Sequence, residues 1–600
     1  MKYQVKNKGS LELLTGEELL HELIKQRGVQ DPKQLLHLNE SVIHPASLFK
    51  NIEQAALLLS EHLYRRNRIG VLVDCDFDGY GSASIIYQFI KQVTGMECLY
   101  FTHEGKRHGL YQDMVEQIES LKLDLLIVPD GGVNDVEGCE RLKAQGTDIL
   151  ILDHHLIERE NPFATVVSSA DQQYPNHTLV GSAVVYRFCQ YVRDYYFLDV
   201  DLKPYLPLVA ATLISDMADL RNPESRFFTL KGLELLHLNP FLNEVCLQKK
   251  LYQADGSVTI QGVSWSIAPM VNATIRSGEM EDKLRLFKAL AGIEEQVPYK
   301  ARKSKNKPDP KEELLTLPAY MVKRCETIKR QQDNQVKKGV AKIEEKIEAL
   351  NLLQHKILVV DVSQELSSAF TGLVANKLSE KYKRGCLLLR REDETKELYG
   401  GSGRGYSKAA GMESFRQFLL DSGQFDAISG HQQAFGFNLP ATNVEQVIHY
   451  ANEALKEIDI EDVYHVDFEL KRSQIDRALV EKVGQFQHLW GGPTLSEPLF
   501  AITDIEVTAD QVQLLGERRN VIRILSKQRQ DELAFMKFFT NEARYLDIIK
   551  QPKTGFQTKK DQRLKLTVIG KFKVSEFNGG TPQVEMVDII SEPLAVRSLF

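Results

Sequence analysis

The sequence of 600 residues lacks a CxxC pair, a long apolar run and any surplus of positive charge. Its seven cysteines (Cys75, Cys98, Cys139, Cys189, Cys246, Cys325, Cys386) are odd in number and scattered. That spacing argues against a disulfide scaffold or a thiolate zinc site and fits a reducing compartment. The opening MKYQVKNKGSLELL has no apolar h-region, and no uncharged stretch of about 18 residues occurs, so neither a secretion signal nor a membrane helix is expected. A soluble cytoplasmic protein is the expectation. With 82 acidic against 75 basic residues the formal net charge is −7. Nucleic-acid binding is therefore not legible in bulk charge and would need a local basic groove. Internal repeats and low-complexity tracts are also missing.

What is present is an ordinary soluble composition, 43% hydrophobic and 26% charged, on a chain long enough for about three or four domains. Residues 1–65 read as a helical segment, for example NIEQAALLLSEHLYRR. From 66 to 300 a first domain is expected. Between 69 and about 155 its apolar runs RIGVLVD, DLLIVPD and DILILDHH alternate with the amphipathic SASIIYQFIKQV and DVEGCERLKAQG. Continuous β-branched runs separated by helices predict a parallel sheet covered on both faces, and helices dominate from 180 onward. Residues 301–352 read as a basic linker and a long connecting helix. YKARKSKNKPDPKEE places five Lys or Arg in 300–307, which suits either a solvated loop or a phosphate-contacting one. The charged segment after it, helical throughout, would span roughly 60 Å. A second α/β pattern occupies 353–460, from KILVVDV onward. The strand-like runs of 461–600, such as LFAITDIEVTADQVQLLG and LKLTVIGKFKVSEF, predict a small β-barrel of the OB type. Phe572 and Phe577 in its last strands read as barrel core rather than base-stacking platforms.

The stretch VLVDCDFDGYGSAS sets Asp74, Asp76 and Asp78 at alternate positions after a buried-looking strand. Like charges so close repel unless a cation sits among them. Two further apolar runs end alike: LLIVPD at Asp130, and ILILDHH at Asp153, His154 and His155. ISDMADL adds Asp216 and Asp219 after LPLVAATLIS. Each acid alone is equally readable as a helix N-cap or turn residue. In an open parallel sheet, however, the carboxyl ends of the strands share one edge, so distant residues converge. Carboxylates with imidazoles suit Mn²⁺ or Mg²⁺, and two such ions about 3.5–4 Å apart would serve phosphoryl transfer.

These segments resemble the DHH phosphoesterase superfamily and, within it, the RecJ single-stranded-DNA exonucleases. VDCDFDGYGSAS resembles the D-x-D-x-D-G motif, VPDGG the second, LDHH the name-giving third, and ISDMAD the fourth. SIAPMVNATIRSG (266–278) resembles the P-x-x-N-A-x-x-R-x-G segment. GGSGRGYS (400–407) and SGHQQAFGF (429–437) resemble the paired signatures of the DHH-associated domain, and LWGGPTLSEPLF (489–500) the entry to the RecJ OB-fold. Two departures stand out. The second motif reads PDGG where the family has D-N-G, and HEGKRHGL (103–110) has no clean match to the family's 5′-end-selecting arginine, leaving Arg107 or His108 as candidates.

The resemblance implies a multidomain α/β chain. It would comprise a parallel-sheet DHH domain, a DHH-associated α/β domain joined by a long helix, and a C-terminal OB-fold barrel. It implies metal ligation by Asp74, Asp76, Asp78, Asp130, His154, His155 and Asp216. Asp130 would bridge the ions, His155 would face the scissile phosphate, and Asp153 would orient an imidazole from behind, which makes His155, Asp130 and Asp153 the catalytic set. Asn272, Arg276, Ser402, Arg404 and His431 would hold phosphates of the strand. Without the resemblance, Gly400–Gly405 reads as a flexible hairpin, His431 as a turn histidine and Arg276 as a surface helix residue.

The expected function is thus a metal-dependent exonuclease degrading single-stranded DNA 5′→3′ in recombination, repair or replication, with two divalent cations, Mn²⁺ or Mg²⁺. Single-stranded DNA is the expected partner, a single-strand-binding protein or a helicase are candidate protein partners, no membrane is involved, and the chain is expected to be a monomer. Two alternatives carry their own discriminators. An oligonucleotide-specific nano-RNase or phosphatase would prefer a dinucleotide to a long strand, and a non-catalytic replication scaffold would show no metal-dependent nuclease activity.

Overall fold

The computed structural model describes residues 2–594 except 7–15, 104–107, 254, 302–310, 392–396, 407–413, 459–462, 493, 529–530, 551–561 and 576–579. The chain divides into two compact units. One comprises Asp31–Asn334 with Gly491–Leu495, the other Met1–Gln30, Gln335–Trp490 and Ser496–Phe600.

In the unit around 31–334, five strands form one sheet in the order Leu99–Thr102, Ile69–Val73, Leu125–Pro129, Asp148–Asp153, Thr165–Ser168, and every pair is parallel. The runs IGVLV and LLIVP are buried at every position. Such strands need cover on both faces, which the helices Phe77–Thr94, Gln112–Leu121 and Val136–Ala144 supply as crossovers. Numbered along the chain the strand order is 2-1-3-4-5, which reverses direction between Ile69–Val73 and Leu125–Pro129. A crevice opens outside the carboxyl ends at such a reversal, and Asp74 and Asp130 are the first residues after those two strands. The helix Leu206–Ser215, buried from Leu206 through Ile214, leads to Asp216.

The segment read as a linker is bracketed by a hairpin. Gln296–Lys300 pairs antiparallel with Glu312–Thr316, and the basic residues 302–307 lie outside the described residues. Because this strand takes the start of the charged segment, the long helix runs only over Leu317–Ala349, 33 residues or about 50 Å. Its first half belongs to one unit and its second half, from Gln335, to the other.

In the other unit, a mixed sheet has the order Ala427–His431, Ala434–Pro440, Leu398–Arg404, Cys386–Arg390, Leu358–Asp361. Apolar clusters cover both its faces, around Phe415 and Phe437 on one and Val374 and Ile343 on the other. A seven-stranded sheet follows, ordered Phe468–Lys471, Phe500–Thr508, Arg563–Ser575, Thr581–Pro593, Asp531–Lys537, Val521–Gln528, Val512–Leu515. It curls enough for Phe500–Thr508 and Val521–Gln528 to touch without pairing. Phe572 stacks on Phe500 at 4.1 Å inside it, as the core reading expected, whereas Phe577 lies outside the described residues.

The N-terminus differs from the helical segment expected over 1–65. Helices Gly16–Lys25, Pro32–Leu36 and Ile52–Tyr64 are present, but Lys2–Val5 is a strand parallel to Val463–Val466. The buried Arg27 guanidinium fixes the following turn with two bonds to Asp467, 3.1 and 3.2 Å. A strand whose partner lies near the other end of the sequence leaves no local pattern. Among the described residues, no helix is long and apolar enough to cross a membrane.

Candidate metal centre

The turn after Ile69–Val73 is made by the carboxylates themselves. Asp76 is the N-cap of helix Phe77–Thr94, its Oδ1 accepting from Gly79 N at 3.0 Å, so the capping reading holds for this residue alongside any other role. Asp78, two residues on, accepts from Gly181 N at 2.6 Å and Ser182 N at 3.1 Å, tying both its oxygens to the start of helix Gly181–Tyr195. Two glycines are required by close approach. A Cβ at Gly79 would lie 2.5 Å from that of Asp74, and one at Gly181 would lie 2.6 Å from that of Asp130.

Asp130 is buried and adopts φ +63°, a left-handed conformation uncommon for non-glycine residues though more often taken by Asp. Its N–H donates to Leu152 O on the neighbouring strand. Its Oδ1 lies 3.1 Å from His154 Nε2 without forming a hydrogen bond, so the two lone-pair donors face a common space. The same nitrogen is 3.9 Å from a carboxylate oxygen of Asp78 and of Asp216. Asp153 is turned inward instead. Its Oδ1 accepts from the backbone N–H of His154 and His155 and from His155 Nδ1 at 2.8 Å, and its Oδ2 accepts from Val133 N. It thereby fixes the His155 ring, which packs 4.5 Å from that of His154 and is half exposed.

Two groups of potential ligands result. Donor atoms of Asp74, Asp76 and Asp130 lie within 4.8 Å of one another, and so do those of Asp130, His154 and His155. Asp130 belongs to both. A third grouping, Asp74, Cys75 and His108, brings in a thiol, but burial pushes the Cys75 thiol up and keeps it protonated.

Electrostatics separates the acids into two kinds. Burial, then Asp78, Asp76, Asp74 and Asp153, raises Asp130 well above the ordinary carboxylate value. Burial and neighbouring carboxylates also raise Asp76 and Asp216, and burial lowers His154, which keeps that imidazole neutral. Burial opposes ionisation of Asp74 and Asp153 as well, but bonds from imidazoles outweigh it: His103 and His108 hold Asp74 low, and His155 holds Asp153 low. In return Asp153 pushes His155 up to about 9. Repelling carboxylates beside a neutral imidazole are completed by added positive charge, and hard divalent cations match these oxygen and nitrogen donors. The residues fit Mn²⁺ or Mg²⁺.

Comparison with known proteins agrees. Residues 68–213 match the DHH family N-terminal domain and residues 466–588 the RecJ OB domain. A SPbeta prophage-derived protein of Bacillus subtilis, provisionally named a single-strand DNA-specific exonuclease, is 33% identical over 94% of this chain and 95% of its own length. This chain belongs to the RecJ family. The single-stranded-DNA-specific exonuclease RecJ of Haemophilus influenzae is 22% identical over 97% of each chain. The fold is that of Thermus thermophilus RecJ crystallised with Mn²⁺, with a TM-score of 0.69 and 18% identity over 99% of this chain and 80% of that one.

The remaining RecJ-type positions fall into two places. Asn272 and Arg276 lie on helix Ala268–Ser277. Asn272 donates to Ser215 Oγ at 3.2 Å, beside Asp216, and Arg276 is exposed at the helix end. Ser402 and Arg404, on Leu398–Arg404 in the other unit, meet at the start of helix Thr371–Tyr382. Ser402 Oγ is 2.9 Å from Thr371 Oγ1, and the Arg404 guanidinium lies over Gly372. His431 ends strand Ala427–His431, and its side chain lies outside the described residues. Asp219 turns away to Arg221.

Sequence reading missed His103, whose buried Nε2 is 3.4 Å from Asp74 Oδ1. His108, singled out only as a stand-in for an arginine, bonds Asp74 at 2.5 Å. The available signal was a histidine directly following an edge strand. Arg107 lies outside the described residues.

Proposed function

We propose that this RecJ-family chain is a cytoplasmic exonuclease that hydrolyses single-stranded DNA 5′→3′ with two divalent cations, Mn²⁺ or Mg²⁺, in recombination, repair or replication. The observation that supports this most is the pair of donor groups sharing Asp130 at the reversal point of the sheet. When bound, the ions would activate a water and offset charge on the leaving oxygen.

The chain's own groups do the rest. Asp74, Asp76, Asp78, Asp130, His154, His155 and Asp216 would hold the ions, with Asp130 common to both donor groups and Asp78 also tied to the start of helix Gly181–Tyr195. His155, locked by Asp153 through Nδ1, would face a non-bridging oxygen of the scissile phosphate as negative charge builds there. Asn272 and Arg276 hold phosphates on one unit, and Ser402, Arg404 and His431 hold phosphates on the other. The meeting of Ser402 and Arg404 at a helix start supports this, because backbone N–H groups there favour anions. Arg107 or His108 would supply the cation for the 5′ end, His108 being fixed on Asp74 and half exposed. The chain acts as a monomer, with a single-strand-binding protein or a helicase delivering the strand.

Digestion of 5′- and 3′-labelled oligonucleotides, single- and double-stranded, with Mn²⁺, Mg²⁺ or chelator tests the reading. Metal-dependent loss of single strands from the 5′ end is expected. Degradation confined to dinucleotides, or activity in chelator, would refute it.

A further inference from the structure

Trp265 is the larger puzzle on this unit's surface. It is 82% exposed, although burying a ring of that size is among the most favourable contacts a chain can make. It stands on the π-helical turn Val263–Ile267, a rare geometry that is frequent at functional sites. The turn is anchored by the buried Val263 and Ile267 and packs on helix Leu206–Ser215, the element that delivers Asp216. It runs directly into helix Ala268–Ser277, where Pro269 and Asn272 are half-buried and Arg276 is exposed, whereas Ile267, Met270, Val271 and Ile275 face the core. Positions 265, 269, 272 and 276 therefore share one outward stripe. The stripe begins at a bare indole, passes the amide bonded to Ser215 beside the carboxylate centre, and ends at a guanidinium.

We propose that Trp265 is a stacking platform for an unpaired nucleobase of the strand whose phosphates Asn272 and Arg276 hold. This rests on the single-stranded-DNA reading above and adds a strand-positioning residue to it. An aromatic face serves any base and requires it to be unstacked, so the platform selects single strands over duplex without reading sequence. The occupant follows from continuity with the metal centre and from the alternation of ring, amide and cation along one helix face.

The chain has only two tryptophans, and Trp490 is buried under Arg27, so a change of indole emission reports on Trp265. The test is titration of full-length protein, in chelator at low salt, with an oligothymidylate of about 15 nucleotides. Saturable quenching is expected in the parent and should vanish in W265F. Affinity should fall about 5- to 150-fold in W265A and largely recover in W265F, which keeps a ring. In metal, W265A should raise KM for long single strands with little change in kcat, and the melting temperature should stay at the parent's value because the residue touches little. Unchanged emission, or equal affinity of parent and W265A in protein that still degrades single strands, would overturn the proposal and leave the exonuclease reading intact. A W265A variant with normal DNA binding but altered sedimentation mass would overturn it in favour of a protein contact. A parent that neither binds nor degrades single strands would remove the functional reading itself.

Discussion

At Asp130, three costs coincide: a left-handed backbone, full burial and the charge of its neighbours. That combination favours a chemical role for Asp130 over a stabilising one. Asp130→Ala should therefore lower cleavage by at least on the order of 10³-fold, while the metal-free protein melts at the same or a higher temperature. Asp153→Asn should cost about 10- to 100-fold, because it loosens His155 without removing a ligand. The pH dependence has a defined sign. Asp76, Asp130 and Asp216 have folded values raised above the unfolded one, so the folded state binds more protons and its stability falls as pH rises through those raised values. Melting curves in chelator should accordingly drop between mildly acidic and mildly alkaline pH. Mn²⁺ should reverse the drop, most strongly at the alkaline end, where no proton competes for the ligands. A flat profile in chelator would contradict this assignment of charge.

At the scale of elements, what was legible in the sequence was what local pattern encodes. Continuous apolar runs ending in Asp74, Asp130 and Asp153 announced a buried parallel sheet, and the rule about carboxyl ends then brought their acids together. The Lys2–Val5 strand, the hairpin under the basic linker and the role of His103 were not legible. The strand depends on a partner remote in sequence, the hairpin on pairing across the basic stretch between its strands, and His103 on a single residue with no periodic neighbour. The same long-range logic supplies a prediction. Arg27 and Asp467 are both buried and pair bidentately, so Arg27→Ala leaves the buried Asp467 carboxylate with only the more exposed Lys6 at 3.7 Å and the Leu499 N–H. Urea unfolding should show a loss of about 3–5 kcal/mol in the unit that holds the seven-stranded sheet. A loss below about 1 kcal/mol would mean the N-terminal segment is not part of that unit's stability.

For the whole molecule, the net charge of −7 means that long-range attraction does not bring a polyanion to the protein. Strand binding then rests on local cations, and Arg276 and Arg404 are the ones proposed above. Affinity should fall linearly with salt on a logarithmic plot, and Arg404→Ala should reduce the slope by roughly 0.7, the contribution of one phosphate contact on a single strand. An unchanged slope would remove Arg404 from the interface. The most direct measurement is anomalous scattering from crystals grown with Mn²⁺. Two peaks about 3.5–4 Å apart on either side of the Asp130 carboxylate are expected. Absence of both, or a single ion that does not touch Asp130, would contradict the paired-cation site and the hydrolysis built on it.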